Sequence, residues 1–259
     1  MRATPETAII SLERVAGRVV MEEGSQIMAG GRSRKPGSGR IEIQQHIVEI
    51  VSDSGEGAQT SGQLFGTVCA RMGNGVWTVE IIPAEIEPPH RSRAGASGNR
   101  IRVGRREVTN AGDEADLVVA FNEQVLYSRI DVGALKKGTI VFLDKTWGER
   151  PDSAESFKQA REDFLARGYS LVEVPLEEEC LRLVDEPRRG KNIWVLGMLC
   201  AIYDRDMEIA REEVGKRFTR KGQAVIESNL ALLEAGYQWA LAHVDSKFSI
   251  PPEGEKNRK

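Results

Sequence analysis

Apolar and polar positions alternate between strand-like and helix-like segments from about residue 41 onward. The strand-like segments are short apolar or alternating runs at 46–52, 76–82, 99–104, 115–121, 136–144 and 169–176. Apolar residues at helical spacing predict a helix over 60–72 that stops at Gly73, and another helix begins near residue 121. Strands that alternate with helices predict an α/β fold, with a Rossmann-like, mostly parallel sheet and helices on both faces.

After residue 190 the apolar pattern becomes helical. Three helix-like segments follow one another, at 191–204, 206–218 and 221–244, and they give the fold a helical C-terminal part. The first of them is apolar nearly all round. Such a helix must be buried, either in the core of this chain or at a subunit interface.

Composition divides the chain into three parts. Residues 24–40 are rich in Gly, Ser and basic residues, which cannot bury a core, so 1–40 is predicted to be a flexible N-terminal arm. Residues 41–245 form the predicted α/β domain. The segment 246–259 combines proline, glycine and charge, and is predicted to be an exposed tail or linker.

Charge and hydropathy exclude several classes of protein. The net charge is -3, so nothing global favours nucleic acid. No apolar run approaches the ~18 residues of a membrane span, and Glu6 and Glu13 interrupt the N-terminal apolar residues, which argues against a signal peptide. We expect a soluble, cytoplasmic chain without membrane or nucleic-acid partners.

The three cysteines, Cys69, Cys180 and Cys200, form no C-x-x-C pair and lie in apolar surroundings. An iron–sulfur cluster usually needs four closely spaced thiolates. We therefore expect reduced core cysteines and no cluster on this chain.

A glycine-rich turn, DSGEGAQTSGQLFG, follows the first strand of the domain. Open α/β sheets bind their ligands at this position, and the N-terminus of the following helix favours an anion. Gln63 and Leu64 replace the Lys and Ser/Thr of a P-loop, which excludes that type of nucleotide site. Gly55 and Gly57 match a dinucleotide fingerprint, but Thr60 stands at its third glycine, so NAD or FAD binding is weakened without being excluded. A purely structural turn also stays open.

A second stretch is rich in arginine. Six arginines and no acid lie between residues 91 and 106, namely Arg91, Arg93, Arg100, Arg102, Arg105 and Arg106. The segment 99–104 alternates polar and apolar residues, as a half-exposed strand does. The arginines predict either a site for phosphate or carboxylate or a solvated edge with ion pairs to neighbouring glutamates.

Four segments in this order resemble the gamma subunit, or gamma domain, of 2-oxoacid:ferredoxin oxidoreductases. They are DSGEGAQTSGQLFG, PAEIEPP followed by AGASG, ADLVVAFNEQVL and KNIWVLGMLCAIY. The resemblance covers roughly residues 46–240. PAEI followed by AGASG is more similar to the 2-oxoglutarate branch than to the pyruvate branch.

The resemblance implies a subunit of an enzyme that is not active alone. The family decarboxylates a 2-oxoacid oxidatively with CoA, gives acyl-CoA and CO2, and reduces ferredoxin. The partners implied are alpha and beta subunits, with a delta module in some members. Thiamine diphosphate with magnesium and the 4Fe–4S clusters are expected on these partners, since this chain has neither the usual G-D-G thiamine signature nor cluster cysteines.

The resemblance further implies that this chain supplies architecture and part of the site for CoA. We expect no catalytic residue and no metal ligand on it. The residues expected to contact CoA are Ser54, Gly55, Glu56, Gly57, Gln59, Thr60, Arg91, Arg93, Ser97 and Asn99. Glu56 conflicts with an anionic ligand, and we expect it to point to solvent or to pair with Arg91 or Arg93.

Two other functions remain open at this point. One is a stand-alone Rossmann-type oxidoreductase with NAD or FAD, and the other is a scaffold subunit without a ligand. In some family members gamma precedes alpha in one chain, so the sequence fits either a separate subunit or the front of a gamma–alpha fusion. The 2-oxoacid itself is not readable from this chain.

Overall fold

A six-stranded mixed sheet forms the centre of the structure, a computed structural model that describes residues 33–34, 39–82 and 96–253. The strands of this sheet are β3 (Gln45–Asp53), β4 (Gly75–Ile81), β5 (Ala96–Gly104), β6 (Ala115–Ala120), β7 (Leu135–Asp144) and β8 (Ser170–Val174). A small second sheet contains β1 (Ser33–Arg34), β2 (Ile41–Glu42) and β9 (Phe248–Ser249).

The strand order of the central sheet is β4-β5-β3-β6-β7-β8. β3, β6, β7 and β8 pair in parallel, whereas β5 is antiparallel to both β3 and β4. The chain leaves β3 toward β4 on one side and leaves β6 toward β7 on the other. β3 and β6 are neighbours, so the carboxyl ends of these two strands form the topological switch point, where α/β folds bind their ligands.

Helices cover both faces of the sheet, as the sequence predicts. The helices are α1 (Ala58–Arg71), α2 (Glu123–Asp131), α3 (Thr146–Glu149), α4 (Ala154–Ala166), α5 (Leu176–Leu181), α6 (Lys191–Tyr203), α7 (Met207–Phe218) and α8 (Gln223–His243). One core lies between the sheet and α1 and α6, and a second core lies between the opposite face and α2 and α4. Within the part of the chain that is described, no helix is long and apolar enough to cross a bilayer.

α6 is buried in the core of this chain, which decides between the two locations that its sequence allowed. Every residue of α6 except Asn192 is buried. α8 packs against it at two glycines. A Cβ atom on Gly197 would lie 1.9 Å from the Leu233 carbonyl oxygen, and one on Gly236 would lie 1.9 Å from the Trp194 carbonyl oxygen. The two helix backbones are therefore in direct contact.

β5 is not the half-exposed strand expected from its alternating sequence. It lies inside the sheet between β3 and β4, and Arg100 on it is buried. Glu49 of β3 lies opposite and accepts hydrogen bonds from Arg100 Nε (2.7 Å) and Arg129 Nε (2.9 Å). The polar position at Arg100 thus reflects a buried ion pair, whereas Arg102 on the same strand is partly exposed.

The boundary expected at residue 245 is too early. β9 pairs in parallel with β2, and Phe248 and Ile250 are buried. The Phe248 ring lies 4.7 Å from the His46 ring and 5.6 Å from the Tyr203 ring, centre to centre. Residues 246–250 are consequently attached to the domain. At the other end, β1 is a strand within the predicted arm of residues 1–40, paired with β2.

Candidate functional site

The glycine-rich turn lies at the switch point and ends in an uncapped helix. Gly55 and Gly57 have φ of 88° and 83°, which only glycine adopts without strain. α1 begins at Ala58, no side chain caps its N-terminus, and its first turn contains no acidic residue. The first N–H groups of a helix carry a partial positive charge, so this turn suits an anionic ligand.

Glu56 lies inside this turn and is buried, contrary to the expectation that it points to solvent. Its backbone N–H donates to the Asp53 carbonyl oxygen (3.3 Å), and its Oε2 accepts from the Asp53 backbone N–H (3.1 Å). Burial raises the pKa of Glu56 to about 7, against the opposing effect of Lys191, and the nearby Asp53 carboxylate adds to the rise. Near neutral pH this carboxyl is therefore divided between its acid and its carboxylate forms.

Lys191 supplies the positive charge behind the turn and is not among the site residues that the sequence predicts. It is the first residue of α6 and its side chain is only 1% exposed. Its Nζ lies 2.9 Å from Asp144 Oδ2 and 3.2 Å from Glu177 Oε2. Burial alone would lower the pKa of Lys191, but the charges of Asp144 and Glu56 outweigh it, and the pKa is raised.

Three separate elements meet at Lys191, because Asp144 ends β7, Glu177 lies in α5 and Glu56 lies in the turn after β3. Glu177 also accepts from Arg150 at 2.6 Å. A signal in the sequence could have pointed to this cluster, since Lys191 begins a helix that is otherwise apolar nearly all round. A cation at a helix N-terminus opposes the helix dipole and needs anionic neighbours.

Asn192 connects the same helix to the turn. A Cβ atom on Gly57 would lie 2.7 Å from Asn192 Nδ2, so the glycine allows the turn and the start of α6 to approach each other closely. On the other side of the switch point, Asn122 Oδ1 caps α2 by accepting from the backbone N–H groups of Gln124 and Val125, both at 2.9 Å. Its Nδ2 is buried without a hydrogen-bond partner among the described residues.

Ser97 and Asn99 both lie on β5 beside the turn, paired with Ser52 and Ile50 of β3. Asn99 packs against α1, because a Cβ atom on Gly62 would lie 2.3 Å from the Asn99 Cβ. Both amide atoms of Asn99 are buried, and neither has a hydrogen-bond partner in the described part of the chain. Buried amides are normally satisfied, so Asn99 is a candidate for a contact that a ligand or water completes.

The remaining candidates in the turn have weak contacts within the chain. Gln59 Nε2 donates to the Ile81 carbonyl oxygen at 3.4 Å, and Thr60 Oγ1 accepts from Arg217 at 3.4 Å. Ser54 and Gly55 are exposed. Ser54, Gly55, Glu56, Gly57, Gln59 and Thr60 thus lie in or next to one turn, with Ser97 beside the end of β3, whereas Asn99 lies further along the strand, opposite Ile50 and under α1.

The arginine-rich stretch divides into two groups. Arg100 and Arg105 pair with Glu49 and Glu42, and Arg106 pairs with Glu253. Arg102 donates to Gln45 and Asn110. The ion pairs to neighbouring glutamates that were expected are therefore present for Arg100, Arg105 and Arg106, although Arg100 is buried and does not lie on a solvated edge. The candidate ligand contacts Arg91 and Arg93 lie outside the described residues.

The three cysteines are free and buried, as expected. Burial raises the pKa of Cys69 to about 11 and that of Cys180 to about 12, which keeps both thiols protonated at neutral pH. No group of three or more His, Cys, Asp or Glu side chains that could hold a metal ion occurs in residues 39–82 and 96–253.

The protein belongs to the class of ligand-binding α/β proteins, since helices cover both faces of its sheet and an anion-favouring turn lies at the switch point. Comparison with known proteins identifies the family. The family model described as pyruvate ferredoxin/flavodoxin oxidoreductase matches residues 48–239. The chain belongs to this family, which confirms the resemblance seen in the sequence.

One relative is the 2-oxoglutarate oxidoreductase subunit KorA of Mycobacterium tuberculosis, 26% identical over 224 residues that cover 82% of this chain and 34% of KorA. The 2-oxoglutarate:ferredoxin oxidoreductase from Magnetococcus marinus, solved with 2-oxoglutarate, coenzyme A and succinyl-CoA bound, has a TM-score of 0.65 and 24% identity. That match covers 82% of this chain and 34% of the solved chain.

The gamma subunit of a keto/oxoacid ferredoxin oxidoreductase from Geobacter sulfurreducens has a TM-score of 0.56 and 17% identity, over 77% of this chain and 98% of that subunit. The two solved structures show a shared fold. This chain spans about a third of the length of KorA and of the Magnetococcus marinus chain.

Proposed function

We propose that this chain is the gamma component of a 2-oxoacid:ferredoxin oxidoreductase that prefers 2-oxoglutarate. In this proposal the complex forms acyl-CoA and CO2 and reduces ferredoxin, and the present chain contributes architecture and one part of the CoA site. The observation that carries the proposal is the uncapped, acid-free N-terminus of α1, on a glycine turn at the switch point of a sheet that belongs to this family.

The residues of the turn fit an anionic nucleotide such as CoA. The backbone N–H groups at the start of α1 would bind a phosphate. Asn99 offers an amide whose two polar atoms have no other partner among the described residues. Support for CoA as the ligand comes from the related fold that was solved with coenzyme A bound.

The proposal assigns thiamine diphosphate, magnesium and the iron–sulfur clusters to alpha, beta or delta partners. When bound there, thiamine diphosphate supplies the carbanion chemistry of decarboxylation and the clusters carry the electrons. The residues of this chain would orient CoA toward that centre. Preference for 2-oxoglutarate rests on the similarity to KorA and on the Magnetococcus marinus fold.

Replacing both Arg91 and Arg93 with alanine tests the assignment of CoA. We expect the KM for CoA to rise by about tenfold or more, because two charge-assisted contacts to phosphate are lost. Decarboxylation of the 2-oxoacid precedes the reaction with CoA in this proposal, so 2-oxoacid-driven exchange of CO2 should stay within about twofold of the wild type. Both quantities are measured on the assembled complex.

Arg106→Ala is the matched control, since Arg106 belongs to the same stretch and is exposed, and its described ion pair is with Glu253. It should leave the KM for CoA unchanged. An unchanged KM in the double variant of Arg91 and Arg93 would remove these arginines from the CoA site.

A further inference from the structure

The buried carboxyl of Glu56 lies inside the turn that the proposed function assigns to an anion. The charged groups that face it come from several elements: Asp53 at the end of β3, Lys191 at the start of α6 and Arg188 in the single turn before it. Asp144 and Glu177 bind the same ammonium from β7 and α5. Glu56 therefore shares its cation with two other carboxylates.

An ionised Glu56 and a bound phosphate repel each other. Glu56 immediately precedes Gly57, the N-cap of α1, and its Oε2 accepts from the Asp53 backbone N–H at 3.1 Å, so the carboxyl lies within the same turn as a phosphate on the first N–H groups of that helix. Lys191 is already engaged at 2.9 Å and 3.2 Å by Asp144 and Glu177. A buried site screens such repulsion poorly, and a proton on Glu56 would abolish it.

We propose that binding of an anionic ligand at the turn of residues 53–60 is coupled to protonation of the Glu56 carboxyl, so that molecules in which Glu56 is ionised take up a proton from solvent as the ligand binds. This inference rests on the proposed function, because it assumes that the turn binds the phosphates of CoA. Glu56 is suited to this coupling, since its pKa is about 7 without the ligand. A small change in pH near neutrality would then change the affinity for CoA.

The direction in which the Kd for CoA changes with pH follows from the linkage between ligand binding and proton binding. Below about pH 7 Glu56 is mostly protonated and offers no repulsion, and above it the ligand must bring a proton onto the carboxyl. The Kd for CoA should therefore rise as pH increases, by up to about tenfold per pH unit. The phosphomonoester of CoA itself titrates near pH 6. The pH dependence of CoA binding to the wild type is therefore compared with that of the Glu56→Gln variant.

Isothermal titration calorimetry of CoA binding to the complex that contains the full chain tests this coupling. The titration is run near pH 7 in two buffers of different ionisation enthalpy, which counts the protons taken up. Wild-type protein should take up about half a proton more than Glu56→Gln, because a group with a pKa near the working pH is half ionised. The variant should also bind CoA more tightly than the wild type at about pH 8, by up to about tenfold.

Glu162→Gln is the control, since Glu162 is exposed on α4, on the opposite face of the sheet. It should behave as the wild type. Equal proton uptake by the wild type and Glu56→Gln, with CoA bound by both, would overturn the coupling and leave the proposed function intact. A different outcome would overturn the assignment of the site itself. In that outcome the complex that contains Glu56→Gln and the complex that contains the double variant of Arg91 and Arg93 are both catalytically active, and both bind CoA as the wild type does.

Discussion

Replacing Lys191 with methionine is expected to lower the free energy of unfolding by about 3–5 kcal/mol, the usual cost of removing one partner of a buried ion pair. Methionine fills a similar volume, so the loss is one of charge. Asp144, at 1% exposure, would be left without the ammonium that lies 2.9 Å from it. Glu177 keeps Arg150 and is less affected.

The loss of unfolding free energy in Lys191→Met should depend on pH. Lys191 opposes the raised pKa of Glu56, so its removal moves that pKa above about 7. A carboxyl with a raised pKa in the folded state destabilises the fold increasingly as pH rises through the interval between the unfolded and the folded pKa. Urea unfolding should therefore show a larger deficit at about pH 8 than at about pH 5.

Lys216→Met provides the matched control for this experiment. Lys216 is exposed on α7 and pairs with Glu213 at the surface, and such pairs contribute about 0–1 kcal/mol. If the two lysine variants had the same stability, the buried cluster would have no structural role.

Replacing Gly197 with alanine is expected to lower the free energy of unfolding by about 3 kcal/mol. The new methyl group would lie 1.9 Å from the Leu233 carbonyl oxygen and 2.9 Å from the Tyr237 backbone nitrogen. Backbone atoms cannot rotate away as a flexible side chain can, so α6 and α8 would have to separate. Overpacking of this kind usually costs about 1–3 kcal/mol, and contact with backbone places the change at the upper end.

Gly215→Ala is the control, because Gly215 lies within α7 and a Cβ atom there would meet nothing within 4 Å. Alanine is the better helix former, so this variant should be more stable than the wild type by about 0.5–1 kcal/mol. Thermal or urea unfolding measures both variants. Equal stabilities for Gly197→Ala and the wild type would contradict the direct contact between the two helix backbones.

Much of the fold is predictable from the sequence, because the inner parallel strands β3, β6 and β7 bury short apolar runs, whereas none of the residues of the edge strand β4 is buried. The strands predicted at 46–52, 115–121 and 136–144 are observed as β3, β6 and β7 with shifts of a residue or so at their ends. Helix α4 is not among the elements predicted from the sequence, although Phe157, Ala160 and Phe164 bury one helical face. Pro251 and Pro252 indicate a linker in the sequence, whereas in the structure Phe248 and Ile250, just before them, are buried in the core.

The candidate site was only half predictable. Its turn, which includes Glu56, follows from glycines at local spacing, but the charges behind it come from residues 144, 177 and 191, which meet only in the folded chain. The arginines show the converse difficulty. Arg100 carries the positive charge that a phosphate-binding residue needs. Only the position of Glu49, opposite Arg100 on β3, shows that Arg100 is part of a buried ion pair.

Isolation of the chain with its native partners under oxygen-free conditions, followed by assay of CoA-dependent viologen dye reduction, tests the central claim most directly. We expect partners that carry thiamine diphosphate and iron–sulfur clusters, and dye reduction that requires CoA and is faster with 2-oxoglutarate than with pyruvate. A chain that is isolated alone, either with a bound flavin or nicotinamide or without ligand and activity, would contradict the assignment as a gamma component.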